Sequence, residues 1–215
     1  MKKIFSFLVV TGILVGFFII EEKEHTVQAN TQNTNRSVKL SESSFVPEGY
    51  AQISLSSVQM DKIPVVLTRY ERQDGLNNGL QGEHFSVVYD QSGRLKGFTR
   101  MDKQLSEGKL PDQKEARRIA QQFLKQYVPD LLENSSEHFI KPHDEYIMVN
   151  GQKLKLTGMK VKMHNKTDGK WFWVIVGSDH QPMVFERDIV WINFPGRRQT
   201  EKWLHDEWLL EQKEK

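Results

Sequence analysis

The stretch "FSVVYDQSGRLKGFTRMD" (residues 85–102) predicts a β-hairpin and sets the expectation for the whole fold. Apolar residues recur at every second position from Phe85 to Tyr89, which is the period of a β-strand. The segment "DQSG" (90–93) supplies the turn, and residues 95–99 form the returning strand. This hairpin is the first of two similar ones.

The second hairpin is predicted in "FWVIVGSDHQPMVFERDI" (residues 172–189). Aligned without gaps, the two stretches place Phe85 on Phe172 and Phe98 on Phe185. A helix-forming segment follows each hairpin, so the order of hairpin and helix occurs twice. This order indicates two copies of one unit. The alternative is that two amphipathic hairpins share a pattern for physical reasons alone.

A helix is predicted directly after the first hairpin, in "PDQKEARRIAQQFLKQYVPD" (residues 111–130). Asp112 is a candidate N-cap, and Glu115 three residues later completes a capping box. Pro129 ends the helix because proline cannot continue its hydrogen bonding. The apolar positions form one continuous stripe at helical spacing: Ala116, Ile119, Ala120, Phe123, Leu124 and Tyr127.

The later sequence predicts further strands and a closing helix. Asn150 and Gly151 lie between two β-rich runs, which is a strong signal for a hairpin turn. The alternation of lysines with apolar residues changes parity near Gly158, so we expect a bulge or bend there that keeps Lys153, Lys155, Lys160 and Lys162 on one face. The segment "RRQTEKWLHDEWLLEQ" (197–212) predicts a helix with Thr200 near its N-cap.

These elements predict an α+β fold in which antiparallel sheets are each covered by a helix, arranged as two tandem hairpin–helix units. The first unit spans residues 45–130, and the second, with the C-terminal helix, spans 131–215. Residues 30–44 are polar and predict a flexible linker ahead of the folded part.

The N-terminus predicts export. Lysines precede the uncharged run "IFSFLVVTGILVGFFII" (4–20), and small residues stand before Ala29, so residues 1–29 are predicted to be a signal peptide. The charged stretch at 21–25 leaves an uncleaved N-terminal anchor as the alternative. Contact with a membrane is expected only through this segment.

The amino-acid composition further indicates the class of protein and its localisation. The chain has no cysteine, and an exported protein of this size without disulfides indicates a bacterial envelope protein with an adequate core. Its localisation is therefore predicted to be extracytoplasmic. The net charge of +2 is too small to indicate nucleic-acid binding.

The first unit resembles the PepSY/YPEB family of extracytoplasmic modules. The resemblance rests on "VVYDQSGRLKGFTRMD" (87–102) and "LPDQKEARRIAQQFL" (110–124), and it extends loosely over 139–212. It implies an α+β module that binds or inhibits a protease, or that acts as a chaperone-like prosegment. The family motif holds no catalytic residue. The chain departs from the family in its tryptophan-rich C-terminus and in having no attached peptidase domain, which favours a free-standing binding module.

No pattern in the sequence indicates catalysis. The histidines do not show the spacing of a zinc site such as H-E-x-x-H. Ser92 lies in a hairpin turn rather than in a nucleophile elbow. The adjacent carboxylates Asp144 and Glu145 are expected to point apart on a strand, and the same holds for Asp206 and Glu207. We therefore predict no catalytic residue, no metal and no cofactor.

Two groups of residues are candidates for binding. The lysine row Lys153, Lys155, Lys160 and Lys162 is either a solvated sheet face that guards against edge pairing or a contact for an anionic cell-wall polymer. All five tryptophans lie after residue 170. Trp203 and Trp208 are therefore either core residues or the centre of a partner site.

The sequence thus predicts an exported, non-catalytic binding module of the bacterial envelope. The expected partner is an envelope protein, either a protease or a cell-wall enzyme that the module modulates or inhibits. One alternative is a tethered structural or assembly factor of an envelope machine, and another is a hydrolase without a recognisable motif. A neighbouring peptidase gene would favour the binding module, and a neighbouring gene for a secretion or conjugation machine would favour the assembly factor.

Overall fold

An eight-stranded antiparallel sheet runs through the protein. The computed structural model describes residues 45–192 and 196–213. The strands of the sheet are β1 (Tyr50–Met60), β2 (Ile63–Arg72), β3 (His84–Asp90), β4 (Leu95–Met101), β5 (Ser135–Val149), β6 (Gln152–Asn165), β7 (Trp171–Val176) and β8 (Pro182–Ile189). Their order across the sheet is β1-β2-β3-β4-β8-β7-β6-β5. A separate ribbon pairs β9 (Trp191–Ile192) with β10 (Arg197–Arg198). The α-helices are α1 (Gln113–Tyr127) and α2 (Asp206–Lys213), and short 3₁₀ turns cover Lys103–Ser106 and Pro129–Leu131.

The prediction of two tandem units, each a sheet covered by its own helix, is wrong, because both hairpins belong to one sheet. The hairpins themselves form as expected, as β3–β4 and β7–β8. Strand β4 also pairs with β8, and Phe98 lies directly opposite Phe185. This pairing satisfies backbone groups that two separate sheets would leave exposed at their edges.

Helix α1 covers one face of this sheet and packs on both hairpins. Its predicted N-cap is confirmed, since the Asp112 carboxylate accepts a hydrogen bond of 2.8 Å from the backbone N–H of Glu115. The ring of Phe123 lies 5.8 Å from that of Phe98 and 5.0 Å from that of Phe185, centroid to centroid. One helix therefore buries the central strands of both halves.

The C-terminal segment covers the opposite face. Leu204 is buried there against β1, β2 and β3. A Cβ on Gly97 would lie 2.8 Å from Leu204 Cδ1, so the glycine makes room for this contact. The predicted helix over 197–212 is wrong in its first half, because α2 begins only at Asp206. The Thr200 hydroxyl accepts a hydrogen bond from the distant Val190 N–H instead of capping a helix.

The β5–β6 hairpin has the predicted turn but not the predicted bulge. Asn150 and Gly151 have φ values of 50° and 76°, as a two-residue hairpin turn requires. The pairing of β5 with β6 passes Gly158 without a shift in register. A Cβ on Gly158 would lie 2.4 Å from Cγ2 of Ile175 and 3.0 Å from the carbonyl oxygen of Val176. The glycine therefore serves a close approach between strands.

The predicted signal peptide (1–29) and linker (30–44) lie outside the described residues. Within the ranges that the structure does describe, no helix is both long enough and apolar enough to cross a bilayer. Export stays a prediction from the sequence.

Candidate functional site

The lysine row is divided between the two faces of the sheet. Successive side chains of a strand point to opposite faces, and β6 has no bulge that would restore the parity. Lys153 and Lys155 therefore lie on one face, and Lys160 and Lys162 on the other. The expectation that a bulge brings all four lysines together is wrong. Lys155 forms an ion pair of 3.5 Å with Asp144, as a solvated face allows.

Lys160 and Lys162 belong to a surface built with aromatic rings. The Lys162 ammonium lies 4.3 Å from the centre of the Trp171 ring and 5.2 Å from that of Trp191. Cation–π attraction holds a lysine at such distances. The Lys160 ammonium lies 3.9 Å from the centre of the buried Trp173 ring. We name this surface the lysine–aromatic face and define it by Phe139, Lys141, Lys160, Lys162, Trp171 and Trp191.

None of the described carboxylates is in contact with the ammonium groups of this face. In the part of the chain that the structure describes, the lysines that form ion pairs with carboxylates are Lys96, Lys155 and Lys170. Burial lowers the pKa of Lys160 to about 8 and also lowers that of Lys162. The sheet therefore holds a small group of cations that are contacted by rings rather than by acids.

The two candidate tryptophans of the C-terminal segment form a half-buried pair. Their rings meet edge to face, with centroids 4.9 Å apart. The indole N–H of Trp203 donates to the carbonyl oxygen of Gln59 in β1, at 3.1 Å. Trp203 precedes α2 and Trp208 lies within it, so the pair is formed by a bend in the chain rather than by one helical stripe.

Strand β1, against which Trp203 packs, is an edge of the sheet formed by the described residues. It has eleven residues, "YAQISLSSVQM", and none of them is charged. Ile53 and Leu55 are 54% and 60% exposed. The pairing with β2 shifts once, between Gln52 and Ser54, so the regular edge runs from Ser54 to Met60.

A buried ionic network ties the C-terminal segment to the sheet. The Arg69 guanidinium donates to both carboxylate oxygens of Asp206, at 2.8 and 3.0 Å, and to Glu71 at 2.7 Å. Asp206 also accepts a hydrogen bond of 2.6 Å from the Gln81 N–H. Burial alone would raise the pKa of Asp206, but the Arg69 guanidinium and this N–H hold it below the usual value.

A second buried carboxylate lies next to this network. Glu186 in β8 contacts Arg198 at 2.6 Å and His205 at 3.1 Å. Burial opposes its charge, yet these two cationic partners hold the pKa of Glu186 well below its ordinary value. Burial likewise works against the charge of His205, but Glu186 raises its pKa. Sequence reasoning missed both groups, although charged residues at inward positions of apolar strands were a usable signal.

A cleft of about 260 Å³ lies between the C-terminal segment and the β5–β6 hairpin. It brings together two acid pairs that are distant in sequence, Asp144 and Glu145 on one side and Asp206 and Glu207 on the other. No serine or threonine is among the described residues that line it. Within the described ranges, no three histidine or carboxylate side chains are arranged to hold a metal ion.

His84 is one of the residues that line this cleft. Its Nδ1–H donates to the carbonyl oxygen of Gly82 at 2.8 Å, so Nε2 carries the lone pair. Nε2 is buried and has no hydrogen-bond partner among the described residues. Burial lowers the pKa of His84, so the ring is neutral at pH 7. The imidazole supports the loop at Gly82 as an uncharged ring.

We expect the contribution of His84 to stability to fall as the pH drops below about 6.5. His205 and His180, whose pKa values are raised, contribute with the opposite sign, so the effect is read from a variant of His84. Burial keeps the pKa of His84 in the folded protein below that of an unfolded chain, which binds a proton near pH 6.5. The unfolded state therefore gains protons that the folded state does not, which favours unfolding. The side-chain amide in His84→Asn can still donate to the carbonyl oxygen of Gly82. This variant should reduce the slope of unfolding free energy against pH below about pH 6.5.

The exposed His180 provides the control. Its pKa is raised by a hydrogen bond to Glu115, so its contribution has the opposite sign, and His180→Asn should not flatten the acid limb. An unchanged slope in His84→Asn would show that His84 is not the group responsible.

No family model, no curated protein and no solved structure matches this chain. The resemblance to PepSY modules therefore stays a prediction, and function has to be argued from the surfaces described above.

Proposed function

We propose that this protein is a non-catalytic binding module that takes up an extended segment of a protein partner along β1. The observation that carries the proposal is the exposed and uncharged edge formed by this strand. An edge strand presents unpaired backbone N–H and C=O groups, which a second strand can satisfy.

The other edge of the same sheet shows the contrast. Strand β5 carries Glu137, Lys141, Asp144 and Glu145, together with Pro142. Charged residues and proline are the usual means by which proteins prevent pairing at an edge. Considering only residues 45–192 and 196–213, one edge is thus guarded and the other is open, although both strands are long.

The tryptophan pair supplies side-chain contacts beside this edge. Trp203 is fixed to β1 through Gln59, and Trp208 packs on Trp203. A strand added to β1 places alternate side chains on the side of the sheet where these indoles lie. Half-exposed tryptophans are typical of interface centres. This geometry suits a partner segment that alternates apolar and small uncharged residues.

This proposal agrees with the sequence expectation of an exported module that modulates an envelope protease or cell-wall enzyme. β-Strand addition requires no chemistry from the module, because backbone hydrogen bonds provide the affinity and side-chain pockets the specificity. The predicted export of the chain remains the basis for seeking the partner in the envelope.

We expect Leu55→Lys to abolish partner binding, because it places a charge on the open edge. Trp208→Ala should weaken the affinity by about 2 kcal/mol, near 30-fold, with little change in folding stability. The full chain would be used to capture partners from intact envelopes, and the affinity of a recovered partner would be measured by titration. Amide exchange of β1 should slow in the complex.

Tyr146→Lys is the matched control, because Tyr146 is an exposed ring, 47% accessible, on the guarded edge. It should leave binding unchanged. Equal loss in Leu55→Lys and Tyr146→Lys, or strong thermal destabilisation by Trp208→Ala, would contradict the proposal. If sedimentation shows that Leu55→Lys abolishes only a self-association of the chain, the occupant of the edge is a second copy rather than a different protein.

A further inference from the structure

We propose that the lysine–aromatic face binds an anionic polysaccharide, a chain of sugar rings that carries phosphate or carboxylate groups. This site is separate from the open edge, because β1 and the strands β5 to β7 lie at opposite ends of the sheet order. It therefore adds a second binding activity to the proposed uptake of a protein segment.

The rings of the face suit sugars. Trp191 is 41% exposed, and Trp171 is half-buried with His138 and His164 at centroid distances of 4.9 and 4.6 Å. An indole offers a broad, flat apolar surface with an electron-rich face. The C–H groups of a sugar ring are weakly positive and pack well on such a surface.

The cations of the face form a short row. Lys160 and Lys162 are two residues apart on β6, which places them about 7 Å apart along the strand. Lys141 lies directly opposite Lys160 on β5. Like charges in directly opposed positions destabilise a sheet unless something neutralises them. Glu186 and Glu145 act electrostatically on Lys160 from beyond ion-pair distance. No described carboxylate is in contact with the three lysines, so a bound anion supplies a contact that the arrangement lacks.

Lysine rather than arginine makes up the row, which bears on the class of polymer. The lysine ammonium is a point charge that contacts phosphate or carboxylate without fixed orientation, whereas arginine is enriched where nucleic acids are recognised. The whole chain has a net charge of only +2. Three lysines among rings fit a polymer with spaced charges better than the dense phosphates of a nucleic acid.

The test is a titration of the full chain with polymer probes, in which tryptophan fluorescence reports binding. The probes are polygalacturonate for a carboxylate polymer, a purified teichoic acid for a phosphate polymer, neutral dextran, and single-stranded oligothymidylate. We expect one or both anionic glycans to bind, with an affinity that falls as salt rises. Dextran should not bind. The glycan that binds more tightly identifies whether phosphate or carboxylate is preferred.

Variants on the two faces of β6 provide the comparison. Lys162→Gln should weaken glycan binding about tenfold, as the loss of one charge contact implies. Trp191 is exposed, and Trp191→Ala should also weaken binding. This variant is a second test that does not change a charge. Lys155→Gln lies on the other face and should change binding less than about twofold.

Thermal unfolding of each variant establishes that it is folded. Absence of binding to both anionic glycans, equal binding of dextran, or an equal loss in Lys155→Gln would overturn the proposal. Tighter binding of oligothymidylate than of either glycan would also overturn it, in favour of a nucleic-acid surface.

Discussion

Replacing Phe123 by alanine is expected to lower the free energy of unfolding by about 3–5 kcal/mol, the usual cost of removing a buried aromatic side chain. Phe123 is 3% exposed, and its ring contacts Phe98 in β4, Phe185 in β8 and the ring of Phe45. The cavity left by alanine would lie where β4 and β8 pair. The loss should therefore weaken the contact between the two halves of the sheet.

Chemical denaturation of the variant measures this loss, with Lys125→Ala as the control on the same helix. Lys125 is exposed, and its truncation should cost less than about 0.5 kcal/mol. Small and equal effects at the two positions would show that α1 does not hold the sheet together. A large effect of Phe123→Ala with two separate unfolding transitions would show that the halves unfold independently.

The sequence was sufficient for the local elements because their signals are local. Helix α1 has its cap at Asp112 and an apolar stripe at helical spacing, and both can be recognised within one window of sequence. The turn at Asn150 and Gly151 follows in the same way from backbone preference. Such elements depend little on the rest of the chain.

The pairing of β4 with β8 could not be derived in this way. The two strands are distant in sequence, and the sequence of either hairpin does not indicate with which strand its outer edge will pair. Two helices and two hairpins also satisfy a tandem arrangement of separate units. The single sheet is favoured over separate units by a long-range contact, the burial of Phe98 and Phe185 under one helix.

The candidate surfaces were predicted only in part, because their positions also depend on long-range pairing. The lysines and tryptophans were identified by residue type, but their faces depend on register, which Gly158 does not shift. The open edge at β1 was not anticipated, because edge position is a property of the sheet order. From the sequence, the acids of the cleft could be considered only within each adjacent pair. The fold brings the two pairs, which are distant in sequence, to the same cleft.

Replacing Asp206 by alanine is expected to cost about 3–5 kcal/mol of stability, because it leaves the Arg69 charge buried without its main partner. Arg69 is 7% exposed and its guanidinium donates to Asp206, Glu71 and the carbonyl oxygen of Gly79. Water cannot readily take the place of the lost carboxylate. The adjacent and exposed Glu207→Ala is the control and should cost less than about 0.5 kcal/mol.

The triple variant Arg69→Met, Glu71→Leu, Asp206→Leu separates the cost of an unpaired charge from the value of the ionic group itself. Glu71 is included because it is buried and pairs with Arg69 at 2.7 Å, so it would otherwise be left without its partner. Apolar residues of similar size remove all three charges, and such replacements are often neutral or stabilising. We expect the triple variant to recover most of the stability lost in Asp206→Ala, in thermal and denaturant unfolding alike. If it is as unstable as the single variant, the ionic group contributes net stability that packing cannot replace. If Asp206→Ala is itself neutral, the C-terminal segment is held by Leu204 and the tryptophan pair rather than by the ionic network.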